Sequence, residues 1–135
     1  MISFTIPGRP ITKKNHQQIC RSKNGKPFVR QSKRYTDYET ATGYFIPCKN
    51  IGIDYPVNVQ CVYYMPDCRR VDLVNLLEAT DDILVRYGVL KDDNSQIVHS
   101  HDGSCVRYDK ENPRVEVRIE EVDKTKGGPE GWQRM

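Results

Sequence analysis

RRVDLVNLLEATDDILVRYGVLKDDNSQIV, residues 69–98, mixes apolar and acidic side chains in one run, and their spacing decides how the chain folds. On a helix from roughly residue 72 to 87, turning about 100° per residue, Leu73, Leu76, Leu77, Thr80, Ile83, Leu84 and Tyr87 share one broad arc, with Val74 at its far edge. Gly88 follows as a carboxy-terminal cap. Asn75, Glu78 and Asp82 lie on the opposite side, within about 60° of one another. Asp81 stands beside them, and Asp72 is a turn away at the start. The spacing predicts a helix whose apolar arc docks on a sheet and whose acidic arc does not.

Like charges at i and i+4, as in Glu78 and Asp82, destabilise a helix by roughly a few tenths of a kcal/mol. No lysine or arginine precedes Arg86 in the helix to relieve them. Magnesium would, since it takes oxygen ligands and is commonly held by one or two carboxylates with water and phosphate. Plainer roles are open to the same residues. Asp72 reads equally as a helix cap worth about 1 kcal/mol, and Lys91-Asp92-Asp93-Asn94 as a polar turn between helix and strand. A strand–helix–strand unit brings the two to one sheet edge only if the helix returns there, and the residues alone leave both readings standing.

Outside this stretch, strand and turn signals alternate. ISFTI (residues 2–6) is a strand ended by Pro7-Gly8. Residues 12–27 are polar and basic with a turn at Asn24-Gly25, a loop or short hairpin that returns as PFVRQS. Ser32 is placed to cap a helix over 33–45, with Tyr35, Tyr38, Ala41, Thr42 and Phe45 on one side; Gly43 weakens it and Pro47 ends it. In VNVQCVYYM (57–65), Val57, Val59, Cys61, Tyr63 and Met65 face one way, as in a half-buried strand. SQIVHSH and SCVRY read as strands joined in a hairpin by a tight turn at Asp102-Gly103. RVEVRIEEV is a last strand with Val115, Val117 and Ile119 inward. The expected fold is α+β: a single domain over residues 1–122, with a mixed β-sheet and helices packed on one face. Residues 123–135, aperiodic and Gly-rich at two points, are expected to form a flexible tail.

A chain of 135 residues suits one compact domain. No apolar run approaches the ~20 residues that span a bilayer, and MISFTIPGRP lacks the basic and apolar regions of a signal peptide, so no membrane is expected. Cys20, Cys48, Cys61, Cys68 and Cys105 make no CxxC pair and read as reduced thiols of a cytoplasmic protein. The first 36 residues hold nine basic and no acidic side chains, a charge of +9; the remainder carries −6, leaving +3. Such an asymmetry points to a polyanion held by one part and cations by the other. A solvated basic loop is the plain alternative.

Met65-Pro66-Asp67-x-Arg69-Arg70-x-Asp72-Leu73-x-Asn75-Leu76, followed by Asp82-x-Leu84, Gly88-Val89-Leu90 and Asp92-Asp93, resembles the RusA-type Holliday junction resolvases. These are small crossover-junction endodeoxyribonucleases, often encoded by phages and prophages. The likeness runs from IPGRPITKKN near the amino terminus to about Val122. It implies a homodimer of α+β subunits that uses Mg2+, or Mn2+ in its place, to make paired nicks across four-way DNA junctions in recombination and repair. Asp72 then corresponds to the family's first catalytic aspartate and Asp93 to the distal one, with Asp92 beside it. The chain departs from the family at Val74, where an aspartate is expected, and at Glu78, where a lysine is. Glu78, on the polar face with Asn75 and Asp82, is placed to supply the missing carboxylate. Lys91, Lys13 or Lys14 would have to supply the cation from loops.

On this reading Asp72, Asp92, Asp93 and Glu78 hold one or two Mg2+, and Asp72, Asp93 and Glu78 are catalytic. Lys13, Lys14, Arg21, Lys23, Lys26 and Arg30 bind DNA phosphates, with Arg69 and Arg70 nearer the acids. A twofold dimer would offer two sites to two strands, and branch shape more than base edges would set specificity. Two alternatives remain: a nuclease acting on other branched or flapped DNA, and a DNA-binding protein that cuts slowly or not at all. His99 and His101 share a strand face beside Asp102, but form a transition-metal site only with His16 added; exposed strand histidines are the expectation. KDDNSQIV lacks the glycine and terminal glutamate of an EF-hand loop.

Overall fold

Strict alternation makes Val57–Met65 the centre of the molecule: Val57, Val59, Cys61, Tyr63 and Met65 are buried, and the residues between them half-buried. The structure, a computed structural model, describes residues 1–12, 17–21, 23–31 and 33–122, with backbone alone over 17–21 and 28–31. Its elements are β1 (Ile2–Pro7), β2 (Gln17–Arg21), β3 (Pro27–Gln31), α1 (Lys33–Thr42), a 3-10 turn (Gly43–Phe45), β4 (Val57–Met65), α2 (Leu73–Arg86), β5 (Val98–Ser100), β6 (Cys105–Tyr108) and β7 (Arg114–Glu121). The expected tail, the Ser32 cap and the Lys13-Lys14 pair lie outside the described residues.

β4 pairs antiparallel with β7, and β7 antiparallel with β1 at one edge. On its other side β4 pairs parallel with both β5 and β6. The outcome is one mixed five-stranded sheet, with β2 and β3 as a separate antiparallel hairpin. Ile6, Val115, Val117 and Ile119 extend the inward row of β4, and Leu76, Ile83 and Leu84 of α2 close over it, with Tyr38 of α1 packed against the same core. This is the expected α+β domain with its helices on one face. No helix among the described residues is long and apolar enough to cross a membrane.

The turn at Asp102-Gly103 does not reverse the chain. β5 and β6 run in the same direction, as two parts of one edge strand interrupted at residues 101–104. The expected hairpin fails because β4 ties down the interruption. Asn58 Oδ1 accepts from Ser100 Oγ at 2.6 Å and from the Asp102 N–H at 2.7 Å, and its Nδ2 donates to the Asp102 carbonyl at 3.1 Å. Gln60 Nε2 donates to the Gly103 carbonyl at 3.2 Å, and the Cys61 N–H donates to Ser104 Oγ at 3.0 Å. With these groups satisfied in place, the ladder resumes as a bulge does instead of turning back.

Parallel neighbours need a long crossover, and α2 provides it. The helix stops at Tyr87, whose N–H donates to Ile83, and at Gly88, which takes φ +71 where a side chain would press on Asn50. α1 is shorter than expected. A side chain at Gly43 would lie 2.7 Å from the Tyr87 ring, so glycine is required there, and its low helix propensity lets the last turn tighten to 3-10. Ala41 and Phe45 are exposed as a result, while Tyr35 and Thr42 are buried. If Asn58 holds the bulge, Asn58→Ala should cost about 1–3 kcal/mol in urea denaturation and speed amide exchange at Asp102.

Candidate active site

Asp72 takes the plain role open to it. Its Oδ1 accepts from the N–H groups of Val74 at 2.9 Å and Asn75 at 3.4 Å, capping α2 and leaving Oδ2 out of the cap. Val74 beside it is 67% exposed. Farther along the same side come half-buried Asn75, exposed Glu78 and half-buried Asp82. Asp82 stands about 15 Å from Asp72 along the helix axis.

The loop after α2 is built around Asp92. Its Oδ1 accepts from the Asp93 N–H at 2.7 Å and its Oδ2 from Asn94 Nδ2 at 3.1 Å, bonds that hold the carboxyl below the usual range. Asn94 in turn accepts from the Gln96 N–H through its side chain, and from Ile97 and Val98 through its carbonyl. Asp93 behaves in the opposite way. Burial pushes its carboxyl up, the Asp92 side chain adds to the effect, and so does the negative charge of Asp82. Asp82 is thus near enough to Asp93 for its charge to be felt there, with Glu78 a turn before Asp82 and Asp72 a helix length away. Asp82 was not among the expected ligands, although its place at i+4 from Glu78 was visible in the helical pattern.

Among the described residues no three His, Cys, Asp or Glu side chains are gathered closely enough to hold a metal ion by themselves. The donor types still suit a hard divalent cation that takes most of its ligands from water and phosphate, since Asp92 and Asp93 are adjacent oxygen donors and the charge of Asp82 reaches Asp93. A polar depression of about 370 Å³ opens beside them, lined by Asp54, Lys91, Asp92, Asn94, Gln96 and Ile97. A somewhat larger one, about 420 Å³, lies on the far face of the sheet around Gln60, Glu116 and Arg118, remote from these carboxylates.

Of the expected DNA-binding residues, Lys23 and Lys26 are exposed at the turn of the β2–β3 hairpin. Arg21 and Arg30 fall on β2 and β3, and their side chains, like Lys13 and Lys14 altogether, are outside the described residues. Arg69 grips Asp67 through Nε at 3.1 Å and Nη2 at 2.9 Å, and Arg9 reaches the same oxygen at 3.1 Å. The Arg69 contacts foremost bring the Asp67 carboxyl down to about 2. Arg70 is exposed.

Two expectations need correction. Asp81 does not share the acidic face: it is buried, one turn beyond Leu77 at the flank of the apolar arc. His101 is half-buried, and its Nε2 lies 2.8 Å from Asp81 Oδ2, so its ring serves this pair, while His99 is exposed. Next to them Thr80 Oγ1 donates to the Leu76 carbonyl at 3.0 Å and lies 2.7 Å from Tyr63 OH.

The family model described as Endodeoxyribonuclease RusA matches residues 7–120. The chain belongs to the RusA endodeoxyribonuclease family. It is also similar to the crossover junction endodeoxyribonuclease RusA of Aquifex aeolicus (strain VF5), with 29% identity over 119 residues that cover 87% of this chain and 90% of that protein. The RusA match spans the acidic helix and the Asp92-Asp93 loop together.

The Asp81–His101 pair gives the fold a pH dependence of definite sign. The hydrogen bond to Asp81, against burial, raises His101 above its ordinary value of about 6.5. Its stabilisation is complete below that pH and is lost as pH rises through the higher folded-state value. Urea denaturation at a series of pH values should show unfolding free energy falling across this window, and Asp81→Asn should remove that fall.

Proposed function

We propose that this protein is a divalent-metal-dependent endodeoxyribonuclease that cuts four-way DNA junctions, with Mg2+ or Mn2+ as cofactor. What supports the reading is the RusA-family match over residues 7–120 and an Aquifex relative named for crossover junctions, with Asp92 and Asp93 in the loop that follows the acidic stripe of α2. Asp92 and Asp93 are the proposed ligands of one ion, with Asp82 joining them; Asp72 and Glu78, nearer the start of α2, are proposed for a second. A bound ion would activate water and neutralise charge on the phosphate. Glu78, exposed on the stripe, is the proposed proton acceptor for the attacking water. Arg70, and the Nη1 of Arg69 that Asp67 leaves outside its grip, hold the scissile strand, while the basic hairpin with Lys23 and Lys26 follows the duplex arms. A homodimer would set two such sites across a junction for paired nicking in recombination and repair. Action in the cytoplasm and a phage or prophage origin fit the same reading.

One observation favours a second reading. Val74 is exposed beside Asp72 where the family pattern has an aspartate, and Glu78 reverses the charge of the expected lysine. A junction-binding protein that cuts slowly or not at all would tolerate both. Strand cleavage of a synthetic four-way junction, with EDTA and linear duplex as controls, separates the two. Metal-dependent nicks confined to the junction are expected. Asp72→Asn and Asp93→Asn should each slow them by about 100-fold or more, a loss of several kcal/mol of charge stabilisation. Asparagine preserves the helix cap at residue 72, so that loss is not one of folding. Tight binding without cutting in either metal would assign the second reading.

Binding itself should depend steeply on salt. Replacing Lys23 and Lys26 together by alanine should reduce the slope of log affinity against log salt by about 2, measured by fluorescence anisotropy in EDTA.

A further inference from the structure

Asp81 and His101 take no part in the proposed chemistry, yet they form a hydrogen-bonded pair between helix and sheet. Asp81 is 7% exposed; its Oδ2 meets His101 Nε2 at 2.8 Å, and its Oδ1 is buried with no hydrogen-bond partner. Exchanging a buried ion pair for apolar side chains is often neutral or stabilising. Stability therefore does not explain why the helix carries a carboxylate on its sheet side.

The place of the pair in the chain does. It closes a span of 20 residues that contains Asp82 at one end and Asp92 and Asp93 midway. The other end is the interruption that Asn58 and Gln60 lock onto β4. Thr80 Oγ1, 2.7 Å from Tyr63 OH, is one directional contact of α2 with the sheet; the rest of the arc is apolar, and apolar attraction is non-directional. The Asp81–His101 hydrogen bond at the flank of that arc is a second directional contact, and two such points side by side fix the turn of the helix about its own axis. With a helix radius of 5–6 Å including side chains, a 20° rotation would carry the Asp82 carboxylate about 2 Å. Misplacements of that order are costly where charged groups must converge.

We infer that Asp81 and His101 are positioning residues: through their buried hydrogen bond, the edge strand sets the rotation of α2 and so the separation of Asp82 from Asp93. This rests on the proposed metal-dependent reading of the carboxylate cluster.

The test is Mn2+ binding to the full chain without DNA, by calorimetry well below each Tm, for wild type, His101→Ala, His101→Gln and Asp81→Asn. Junction binding in EDTA is followed in parallel. His101→Ala should weaken Mn2+ binding about 10-fold or more, the scale for partners that orient metal-binding side chains. His101→Gln, which restores an N–H donor, should recover most of it, and junction binding in EDTA should stay unchanged throughout. Should His101→Ala not fold, Asp81→Asn takes its place, with the same weakening expected. Wild-type Mn2+ affinity in His101→Ala or Asp81→Asn overturns the inference and leaves the proposed function intact. A wild-type protein that binds no Mn2+ overturns both.

Discussion

The parallel pairing of β4 with the split edge strand β5–β6 is the constraint on which the rest of the molecule depends. Parallel neighbours cannot be joined by a tight turn, so the chain leaves β4 at Met65 and travels back along it before it enters the sheet again beside Val57. α2 is that return path. Its apolar arc covers the inward row of β4, and its polar side is left facing out. Both connecting loops of the crossover are charged: Asp67, Arg69, Arg70 and Asp72 before the helix, Asp92 and Asp93 after it. The topology holds these two groups at opposite ends of α2. Only the stripe Asn75, Glu78 and Asp82 runs between them, so the charge that reaches Asp93 from the helix is that of Asp82.

The edge of the sheet shows how the same crossover handles polar groups. An interruption in an edge strand exposes backbone donors and acceptors that an inner strand would pair. Here the half-buried outward row of β4 pairs them through Asn58 and Gln60. On the inward side Tyr63, Thr80 and the Leu76 carbonyl form a closed chain of hydrogen bonds. Against that background of satisfied groups, Asp81 Oδ1 is the exception among the described residues, and it belongs to the helix that carries the acidic stripe.

What was legible in the sequence was whatever depended on local periodicity. Seven positions from Leu73 to Tyr87 and five of β4 repeat cleanly, and a helix packed on a half-buried strand follows from them without further information. The β2–β3 hairpin was likewise legible from Asn24-Gly25. The second hairpin was not, because Asp102-Gly103 carries a local turn signal, while the groups that override it sit on β4, 44 residues away in the case of Asn58. Asp81 failed for a similar reason. Its i+4 relation to Leu77 places it on the flank of the buried arc, but a buried carboxylate becomes reasonable only with a partner, and that partner is 20 residues on. Of the candidate site, the acids themselves were legible. Their grouping was not, since it follows from where a parallel crossover ends.

The two departures from the family pattern take on a physical meaning in this frame. Val74 offers no oxygen near the Asp72 cap, and the next carboxylate along the stripe, Glu78, is about 6 Å farther down the axis. Its loss therefore does not simply remove one ligand from a fixed cage; it shifts the centre of negative charge along α2, away from the cap. Glu78 adds to the shift, because an acid replaces the expected cation one turn before Asp82. Asp93, raised by burial, by Asp92 and by Asp82, feels the negative charge at this end of the stripe from the loop. On the proposed reading, the reacting phosphate is to be sought there, against Asp82, Asp92 and Asp93, more than at the Asp72 end where the motif begins.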